Sequence, residues 1–286
     1  MSAQGKRTVL ITGCSDGGMG AGLAVAFHEA GLHVIATARD PSKMAGLAAL
    51  GIETLPLDVL SESSIAACVG KLSSLDILVN NAGAQRVMPL VDMSLSDAKE
   101  LFDVNVWAHV ALIQAFMPLL MKSRNGAMIV NNTSAACNVP IPFQAVYNAS
   151  KAALSMLSNT LRLELQGFDI KVIDLKSGIV KTNILTNMRE AHLSLPEGSI
   201  YEPAREVMER ALRADTVGDR GTPPVEWGRQ VVADLLKKNP PPIVWRGEMS
   251  WIGWVIQLLP FGTLDGYLKK AIGVDVVERI IQVTRS

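Results

Sequence analysis

Short runs of valine, isoleucine and leucine alternate along this chain with longer segments of mixed polarity. Each run is four or five residues long and lacks the in-and-out alternation of a half-exposed strand. Strands covered by helices on both faces have this pattern. The predicted strands are Thr8–Thr12, Val34–Ala38, Thr54–Leu57, Ile77–Asn80, Ala127–Asn131 and Lys171–Leu175, with a further one at Pro242–Trp245. The pattern predicts an α/β fold: a doubly wound, mostly parallel sheet of about seven strands with helices on both faces.

Helical spacing characterises the segments between these runs. The predicted helices are Ala21–Ala30, Ser61–Gly70, Ser96–Met121 and Val146–Gln166. No linker interrupts the alternation, so we expect one domain over residues 1–286. The alternation fades after about Lys181, and we interpret residues 184–220 as a substrate flap. Residues 245–286 are predicted to form a C-terminal helical tail, with one apolar stretch at Ser250–Phe261 and an amphipathic one at Leu264–Gln282.

Composition excludes several classes of protein. Lys plus Arg and Asp plus Glu both total 27, and this balance argues against a nucleic-acid partner held by phosphate contacts. The three cysteines and four histidines are scattered, so we predict neither a disulfide framework nor a metal site. The first apolar stretch ends at Gly13, too short for a signal peptide, and no apolar run approaches the roughly 20 residues of a membrane span. We therefore expect a cytoplasmic protein.

A glycine-rich turn, Thr12–Gly20 (TGCSDGGMG), joins the first predicted strand to an alanine-rich helix. Glycines allow the backbone to approach a pyrophosphate, and the helix N-terminus supplies free N–H groups and a positive dipole end. The turn therefore predicts a phosphate cradle. Its proposed contacts are Gly13, Ser15, Gly18, Met19 and Gly20.

The residue after the second predicted strand is informative about the cofactor. A carboxylate there binds the ribose 2′-hydroxyl of NAD, but this chain has Arg39, a cation suited to the 2′-phosphate of NADP. Lys43 is placed to assist, whereas Asp16 stands in the cradle where a basic residue would strengthen the case. NADP(H) is the predicted cofactor, and an NAD-linked alcohol dehydrogenase is the alternative.

Further motifs stand in the order typical of one family. Over most of its length the chain resembles the short-chain dehydrogenase/reductase family. Thr12–Gly20 is similar to the family's TGxxxGxG turn with Gly17 as an extra residue, and Ser177–Thr182 to its PGxxxT with Ser177 in place of proline, which predicts a less stiff loop. The other matches are the Asp58-Val59 pair, the NNAG of Asn80–Gly83, Asn105, and the set Ser134, Tyr147 and Lys151. The turn and the Trp-rich C-terminus are loosely similar to the acyl-dihydroxyacetone-phosphate reductases.

The resemblance implies a Rossmann-like domain and an NADP(H)-dependent oxidoreductase that acts on a small-molecule carbonyl or alcohol. It implies four catalytic residues: Asn105, Ser134, Tyr147 and Lys151. The implied cofactor contacts are Gly13, Ser15, Gly18, Met19, Gly20, Arg39, Asp58, Val59, Asn81, Ala82, Gly83, Tyr147, Lys151, Gly178, Ile179 and Thr182. By the same resemblance, Asn105 holds the water that passes protons to Lys151, and the two long helices pair across the interface of a homodimer or homotetramer.

The residue types at these positions suit proton transfer to and from a carbonyl oxygen. Tyr147 and Lys151 are four apart in a predicted helix and share a face. A free tyrosine has a pKa of about 10, and a nearby ammonium and an oxidised nicotinamide ring both favour the phenolate. Tyr147 then serves as general acid–base, while Ser134 donates to the carbonyl oxygen. Asn138 and Gln144 are candidate substrate contacts.

Three alternatives remain open at this stage. The chain is either a reductase or a cofactor-binding protein without redox activity, such as a cyclase or a binding module. Its substrate is either a lipid-like carbonyl or a polycyclic secondary metabolite. The tail, with Trp245, Trp251 and Trp254, either packs over the substrate pocket or a partner subunit, or attaches the protein peripherally to a lipid surface.

Overall fold

The seven strands of this chain form one sheet, in the order β3-β2-β1-β4-β5-β6-β7. The computed structural model describes residues 6–183, 194–213, 220–260 and 262–286. The strands are β1 Thr8–Thr12, β2 His33–Ala38, β3 Glu53–Pro56, β4 Ile77–Asn80, β5 Ala127–Asn132, β6 Ile170–Ser177 and β7 Ile243–Arg246. Neighbouring strands are parallel throughout this sheet. The winding direction reverses between β1 and β4, and ligands of such sheets bind at the carboxyl ends of the strands beside this point.

Eleven α-helices accompany the sheet within the described ranges. They are α1 Met19–Glu29, α2 Ala45–Ala49, α3 Glu62–Val69, α4 Leu95–Phe102, α5 Ala108–Leu120, α6 Ala145–Glu164, α7 Arg205–Leu212, α8 Pro224–Leu235, α9 Ser250–Val255, α10 Asp265–Ile272 and α11 Val274–Arg285. The predicted helix Ser96–Met121 is divided, because Asp103–Trp107 form a π-helical segment between α4 and α5. The second tail stretch is also divided, since Gly273 adopts φ 85° between α10 and α11.

Two apolar cores cover the two faces of the sheet. Side chains alternate across a strand, so Val9 and Ile11 of β1 enter one core while Leu10 enters the other. The first core is closed by α1 and α8, and the second by α3 and α5. Helices therefore lie on both faces, as the apolar runs predict.

Helices α1 and α8 touch at their backbones. A Cβ atom on Gly22 would lie 2.3 Å from the carbonyl oxygen of Pro224, and one on Gly228 would lie 2.5 Å from the carbonyl oxygen of Gly22. Only glycine permits this approach. The position of α1, and hence of the turn before it, is therefore set by a helix near the other end of the chain.

A third, smaller core joins the tail to the described part of the flap. Val277 of α11 packs with Met208 and Leu212 of α7 and with Val87, and the partly buried Phe143 borders them. The tail prediction was wrong at its start, because Trp245 belongs to strand β7 and the helices begin at Ser250. Of the predicted flap, residues 184–193 and 214–219 lie outside the described residues.

Residues 95–120 are long and apolar enough, by length and composition alone, to cross a membrane. Half of the apolar window of this segment is buried in the structure, and Leu112 and Phe116 of α5 are fully buried in the second core. A core helix passes the same test, and these contacts are those of a core helix.

Candidate active site

The glycine turn closes against the loop that follows β4. Gly13 and Gly17 adopt φ values of 73° and 75°, which L side chains rarely adopt. A Cβ atom on Gly13 would lie 2.9 Å from the Cα atom of Ala82, and one on Gly20 would lie 2.4 Å from the carbonyl oxygen of Gly13. Gly17 is therefore more than an inserted residue, because the turn requires its left-handed backbone.

Hydrogen bonds join the same two loops. The Thr12 hydroxyl oxygen accepts the backbone N–H of Asn81 at 3.0 Å and that of Ala82 at 2.9 Å. The side-chain amide of Asn81 donates in return to the carbonyl oxygen of Thr12 at 2.8 Å. These bonds fix the ends of β1 and β4 beside each other, where the sheet reverses its winding.

A cleft of about 890 Å³ opens over these loops. Eleven of the predicted cofactor contacts line it: Gly13, Ser15, Gly18, Met19, Arg39, Asp58, Val59, Asn81, Ala82, Gly83 and Thr182. Five predicted contacts are not among its lining residues: Gly20, Tyr147, Lys151, Gly178 and Ile179. For Gly178 the reason is its packing, since a Cβ atom there would lie 2.2 Å from the carbonyl oxygen of Glu248.

The lining also includes residues that the motifs do not single out, such as Ala84, Arg86 and Asn183. Asn183 donates its side-chain amide to the carbonyl oxygen of Asp16 at 2.9 Å. The Asp16 carboxylate accepts the backbone N–H of Gly46 at 2.9 Å. The only sequence signal for Asn183 is its position directly after Thr182.

Arg39 and Lys43 both line one end of the cleft. Within the described ranges, the exposed Arg39 side chain forms neither a hydrogen bond nor an ion pair. A guanidinium with its donors free at the rim of a cleft is suited to a phosphate.

Ser134, Tyr147 and Lys151 meet where β5 and the first turns of α6 converge. Ser134 caps the short 3-10 helix Ala135–Cys137, and its hydroxyl oxygen accepts the backbone N–H of Ala136 at 3.1 Å. The Lys151 Nζ atom lies 5.9 Å from the centre of the Tyr147 ring. The buried Lys151 ammonium donates to the carbonyl oxygen of Asn132 at 3.0 Å.

Burial is the largest influence on the pKa values of Tyr147 and Lys151. Burial raises the pKa of Tyr147 above its usual value, and the hydrogen bond from Ser134 acts in the opposite direction. Burial also lowers the pKa of Lys151, to about 8. The protein's own groups therefore keep the phenol protonated at neutral pH, contrary to the expectation that the Lys151 ammonium would favour the phenolate.

Asn105 stands in the π-helical segment, an element frequent at functional sites. Its amide nitrogen donates to the carbonyl oxygen of Ala84 at 2.9 Å and to the hydroxyl of Ser150 at 3.1 Å. Its amide oxygen accepts the backbone N–H of Ala84 at 2.9 Å. The side chain thus joins the loop after β4 to α6 and uses both ends of its amide for this purpose.

Sequence reasoning did not single out Asn132, which bonds to Ser177. The Ser177 hydroxyl donates to the side-chain oxygen of Asn132 at 2.7 Å, and the Asn132 amide donates to the side-chain oxygen of Asn81 at 2.8 Å. The loop after β6 is therefore anchored at its first residue, where a less stiff loop was predicted. The repeated asparagines at the end of β5 were the available signal for Asn132.

The two candidate substrate contacts are both engaged within the protein. The Asn138 side-chain oxygen accepts from the Lys176 ammonium at 3.0 Å. Gln144 accepts from the side-chain amide of Gln85 at 2.9 Å. This second bond holds the loop before α6 against the loop after β4.

His109 of α5 is fully buried beside the loop after β4, and its Nε2 atom lies 2.8 Å from the carbonyl oxygen of Ala82. Burial, assisted by the charge of Lys151, lowers the pKa of His109 to about 3. The unfolded chain binds this proton near pH 6.5 and the folded chain does not. From this residue alone we expect the free energy of unfolding to fall, as the pH drops from 6.5 towards 3, by about 1.4 kcal/mol per pH unit.

Urea unfolding at pH 7 and pH 5 measures this dependence. The His109→Gln variant keeps a donor for Ala82 and lacks the titration, so its stability should change less between the two pH values. Equal changes in the two proteins would show that His109 is not the group responsible.

The parallel sheet, the glycine turn at its switch point and the tyrosine–lysine pair at the same edge are the features of a nucleotide-dependent oxidoreductase. The sequence profile described as short chain dehydrogenase matches residues 7–193. The chain belongs to the short-chain dehydrogenase/reductase family of oxidoreductases.

Two relatives illustrate the range of similarity. A short-chain dehydrogenase/reductase of Pestalotiopsis microspora is 53% identical over 279 residues, covering 97% of this chain and 98% of its own. The NADPH-dependent 1-acyldihydroxyacetone phosphate reductase of Schizosaccharomyces pombe is 38% identical over 274 residues, covering 90% and 91%. This second similarity supports the loose resemblance to that subgroup.

Solved structures share the fold. A short-chain dehydrogenase of Streptomyces avermitilis aligns with a TM-score of 0.74 at 24% identity, over 96% of this chain and 98% of its own. A short-chain dehydrogenase of Burkholderia cenocepacia in complex with NADP aligns with a TM-score of 0.72 at 23% identity, over 94% and 99%. The seven-stranded, Rossmann-like architecture is therefore that of the family.

Proposed function

We propose that this protein uses NADPH to reduce a ketone or aldehyde group on an apolar small molecule. One observation carries the proposal: Ser134, Tyr147 and Lys151 converge at the sheet edge that also bears a nucleotide-sized cleft. The Schizosaccharomyces pombe relative, named as NADPH-dependent, supports the choice of cofactor.

The residues of the cleft fit NADPH. Gly13 and Gly18 present bare backbone to the cleft, where a pyrophosphate would approach. A Cβ atom on Gly18 would also lie 2.9 Å from the carbonyl oxygen of Ser15. The N-terminus of α1 opens beside this turn. Arg39 and Lys43 would hold the 2′-phosphate, and Asp58 the adenine end. Asp16 also lines this end, but its carboxylate is directed to the Gly46 amide.

NADPH supplies the hydride that the carbonyl carbon receives, and the protein supplies the proton and the orientation. The Ser134 oxygen already accepts the Ala136 N–H, and its one hydrogen, which is directed to Tyr147 in this structure, turns to the carbonyl oxygen of a bound substrate. Tyr147, kept protonated by burial, transfers its proton to that oxygen as negative charge develops. Lys151 stabilises the resulting phenolate until it is reprotonated. By resemblance to the family, the segment around Asn105 holds the water that passes protons to Lys151 during this reprotonation.

Arg39 provides the test of the cofactor choice. We expect Arg39→Ala to weaken NADPH binding by about 10-fold to 100-fold, equivalent to losing one or two charge-assisted hydrogen bonds, and to leave NADH binding unchanged. Titration of the cofactor's fluorescence measures both affinities without any substrate. Arg124→Ala, an exposed arginine outside the cleft, is the matched control. Equal affinity of the wild-type protein for NADPH and NADH would favour the NAD-linked alternative.

An apolar substrate is favoured by the residues around the third core. Met88, Phe143 and Tyr201 are partly buried beside it, and the backbone N–H of Met88 donates to the carbonyl oxygen of Phe143 at 2.8 Å. We infer a lipid-like or polycyclic carbonyl compound as substrate. Incubation of a cell extract with NADPH, followed by mass spectrometry for products two hydrogens heavier, identifies it. Tight NADPH binding with no carbonyl ever reduced would favour the non-redox alternative, a cyclase or a binding module.

A second copy of this chain is the partner we infer for α4 and α6. Leu95 of α4, Trp107 of the π-helical segment and Met156 of α6 are more than half exposed. A shallow groove of about 470 Å³, which Leu95 and Trp107 line, lies between α4 and the start of α6. Large exposed apolar side chains beside an apolar groove are typical of subunit interfaces. Sedimentation velocity should show a dimer or tetramer that Trp107→Glu dissociates, and a monomeric wild-type protein would contradict this inference.

For the tail we propose peripheral contact of a cytoplasmic protein with a lipid surface. Trp251, Trp254 and Leu258 are exposed by 62%, 52% and 68%, although α11 packs against the flap. Flotation with phospholipid vesicles should recover the wild-type protein and lose the variant Trp251→Gln/Trp254→Gln. Phe168→Gln, which removes an exposed aromatic side chain outside the tail and outside the groove between α4 and α6, is the control. Equal soluble behaviour of all three proteins would remove the proposal.

A further inference from the structure

Lys176 and Asp174 form a buried ion pair near the end of β6, and the mechanism above uses neither residue. Their Nζ and Oδ2 atoms lie 3.2 Å apart, and the residues are only 3% and 1% exposed. Side chains two apart on a strand point to the same face. The cost of burying two charges is offset only when further hydrogen bonds surround them. The hydrogen-bond partners of Lys176 and Asp174 therefore identify the segments that this ion pair holds in place.

Lys176 holds the end of the turn that Ser134 begins. Its ammonium lies 2.9 Å from the Sγ atom of Cys137 and 3.0 Å from the side-chain oxygen of Asn138. Both residues close the single turn Ala135–Cys137, because the Cys137 N–H donates to the carbonyl oxygen of Ser134 at 3.1 Å. A shift of this turn would move the Ala136 N–H that orients the Ser134 hydroxyl.

Asp174 holds the other end of the same segment and the helix beside it. Its Oδ1 atom accepts the hydroxyl of Thr133, the residue before the catalytic serine, at 2.5 Å. The Ser155 hydroxyl donates to its Oδ2 atom at 2.6 Å and accepts from Lys176 at 2.8 Å. Ser155 lies on α6, about two turns beyond Tyr147. One ion pair thus joins the serine segment and the tyrosine helix to the same strand.

Strand β7 and helix α9 cover this ion pair. The Trp245 ring of β7 has its centre 5.3 Å from the Lys176 Nζ atom. Gly253 of α9 packs on that ring, since a Cβ atom there would lie 2.6 Å from it and 3.2 Å from the Cβ atom of Ala135. Water is therefore excluded from the ammonium, whose donors are all taken up by protein partners.

We propose that Lys176 is a positioning residue, which sets the Ser134 hydroxyl relative to the Tyr147 phenol by tying the turn after β5 to β6 and α6. The proposal rests on the function proposed above. A displacement of about 1 Å between catalytic groups can lower the rate of the chemical step by about 100-fold. None of the residues that bond to the Lys176 ammonium lines the cleft, so cofactor binding should not depend on Lys176.

Three variants test this role with a carbonyl that the wild-type protein reduces. Lys176→Met removes the ammonium and keeps an apolar chain of similar length. Asp174→Asn/Lys176→Met also removes the partner charge, so that no unpaired carboxylate is left buried if the single variant fails to fold. Lys171→Met, on the exposed side of the same strand, is the matched control. We expect kcat to fall by roughly 10-fold to 100-fold in both Lys176 variants, with an unchanged KM for NADPH, and no change in the control.

A readout independent of catalysis separates the inference from the proposed function. The Lys176 ammonium lowers the pKa of the Cys137 thiol against the opposing effect of burial. The pH profile of Cys137 alkylation by iodoacetamide should therefore move to higher pH in Lys176→Met. Wild-type kcat in the folded double variant, or an unmoved alkylation profile, would overturn the positioning role. A wild-type protein that reduces no carbonyl while the alkylation profile moves would overturn the proposed function alone.

Discussion

Replacing Tyr147 by phenylalanine should nearly abolish carbonyl reduction while leaving the protein folded and able to bind NADPH. The phenol is the group that we assign to donate the proton, and removing a general acid costs roughly 10²-fold to 10⁴-fold in rate. The ring itself remains, so its packing beside Lys151 is retained. Because burial raises the pKa of Tyr147, the wild-type rate should fall only on the alkaline side, as the phenol loses its proton.

The measurement is the rate of NADPH oxidation with an identified carbonyl substrate, accompanied by a fluorescence titration of NADPH. Tyr267→Phe, in the exposed part of the tail, is the matched control and should behave as the wild-type protein. Full activity in Tyr147→Phe would remove this residue from the chemistry. Loss of NADPH binding together with activity in a folded variant would show that the main contribution of the Tyr147 hydroxyl is to hold the cofactor.

Gly20→Ala should impair the protein at an earlier step, the binding of the cofactor. The added methyl group would lie 2.4 Å from the carbonyl oxygen of Gly13 and 2.6 Å from the side-chain nitrogen of Asn81. Neither neighbour can withdraw without opening the turn or breaking the bond that Asn81 makes to Thr12. Overpacking of this kind costs about 1–3 kcal/mol, which corresponds to roughly 10-fold to 100-fold weaker NADPH binding if the turn opens.

Gly167→Ala provides the comparison, because nothing lies within 4 Å of a Cβ atom there. Its NADPH affinity and melting temperature should match those of the wild-type protein. Gly20→Ala should lower both. Wild-type affinity in Gly20→Ala would mean that the pyrophosphate does not depend on the backbone geometry of this turn.

The sheet could be predicted because a local run of apolar residues marks each of its strands. Each apolar run lies within two residues of an observed strand, and the alternation with helices determines that neighbouring strands are parallel. The spacing of Tyr147 and Lys151 is a local signal of the same kind, and the structure places both residues on α6.

Polar contacts between distant segments could not be predicted in this way. Asp174 appeared as a lone acidic residue in an apolar run, and only the folded chain brings Thr133 and Ser155 to it. The burial that raises the pKa of Tyr147 is a further effect that the sequence does not show. A sequence shows the neighbouring ammonium, but it does not show how much solvent the phenol loses.

The backbone contact between α1 and α8 also bears on how the protein is made. During synthesis α1 leaves the ribosome about 200 residues before the surface that covers it, around Pro224 and Gly228. Until then, apolar side chains such as Leu23 and Phe27 have no α8 to pack against. The face of α1 that packs on α8 should therefore stay uncovered until translation has passed Leu235, and the coenzyme should be unable to stabilise the folded domain before that point.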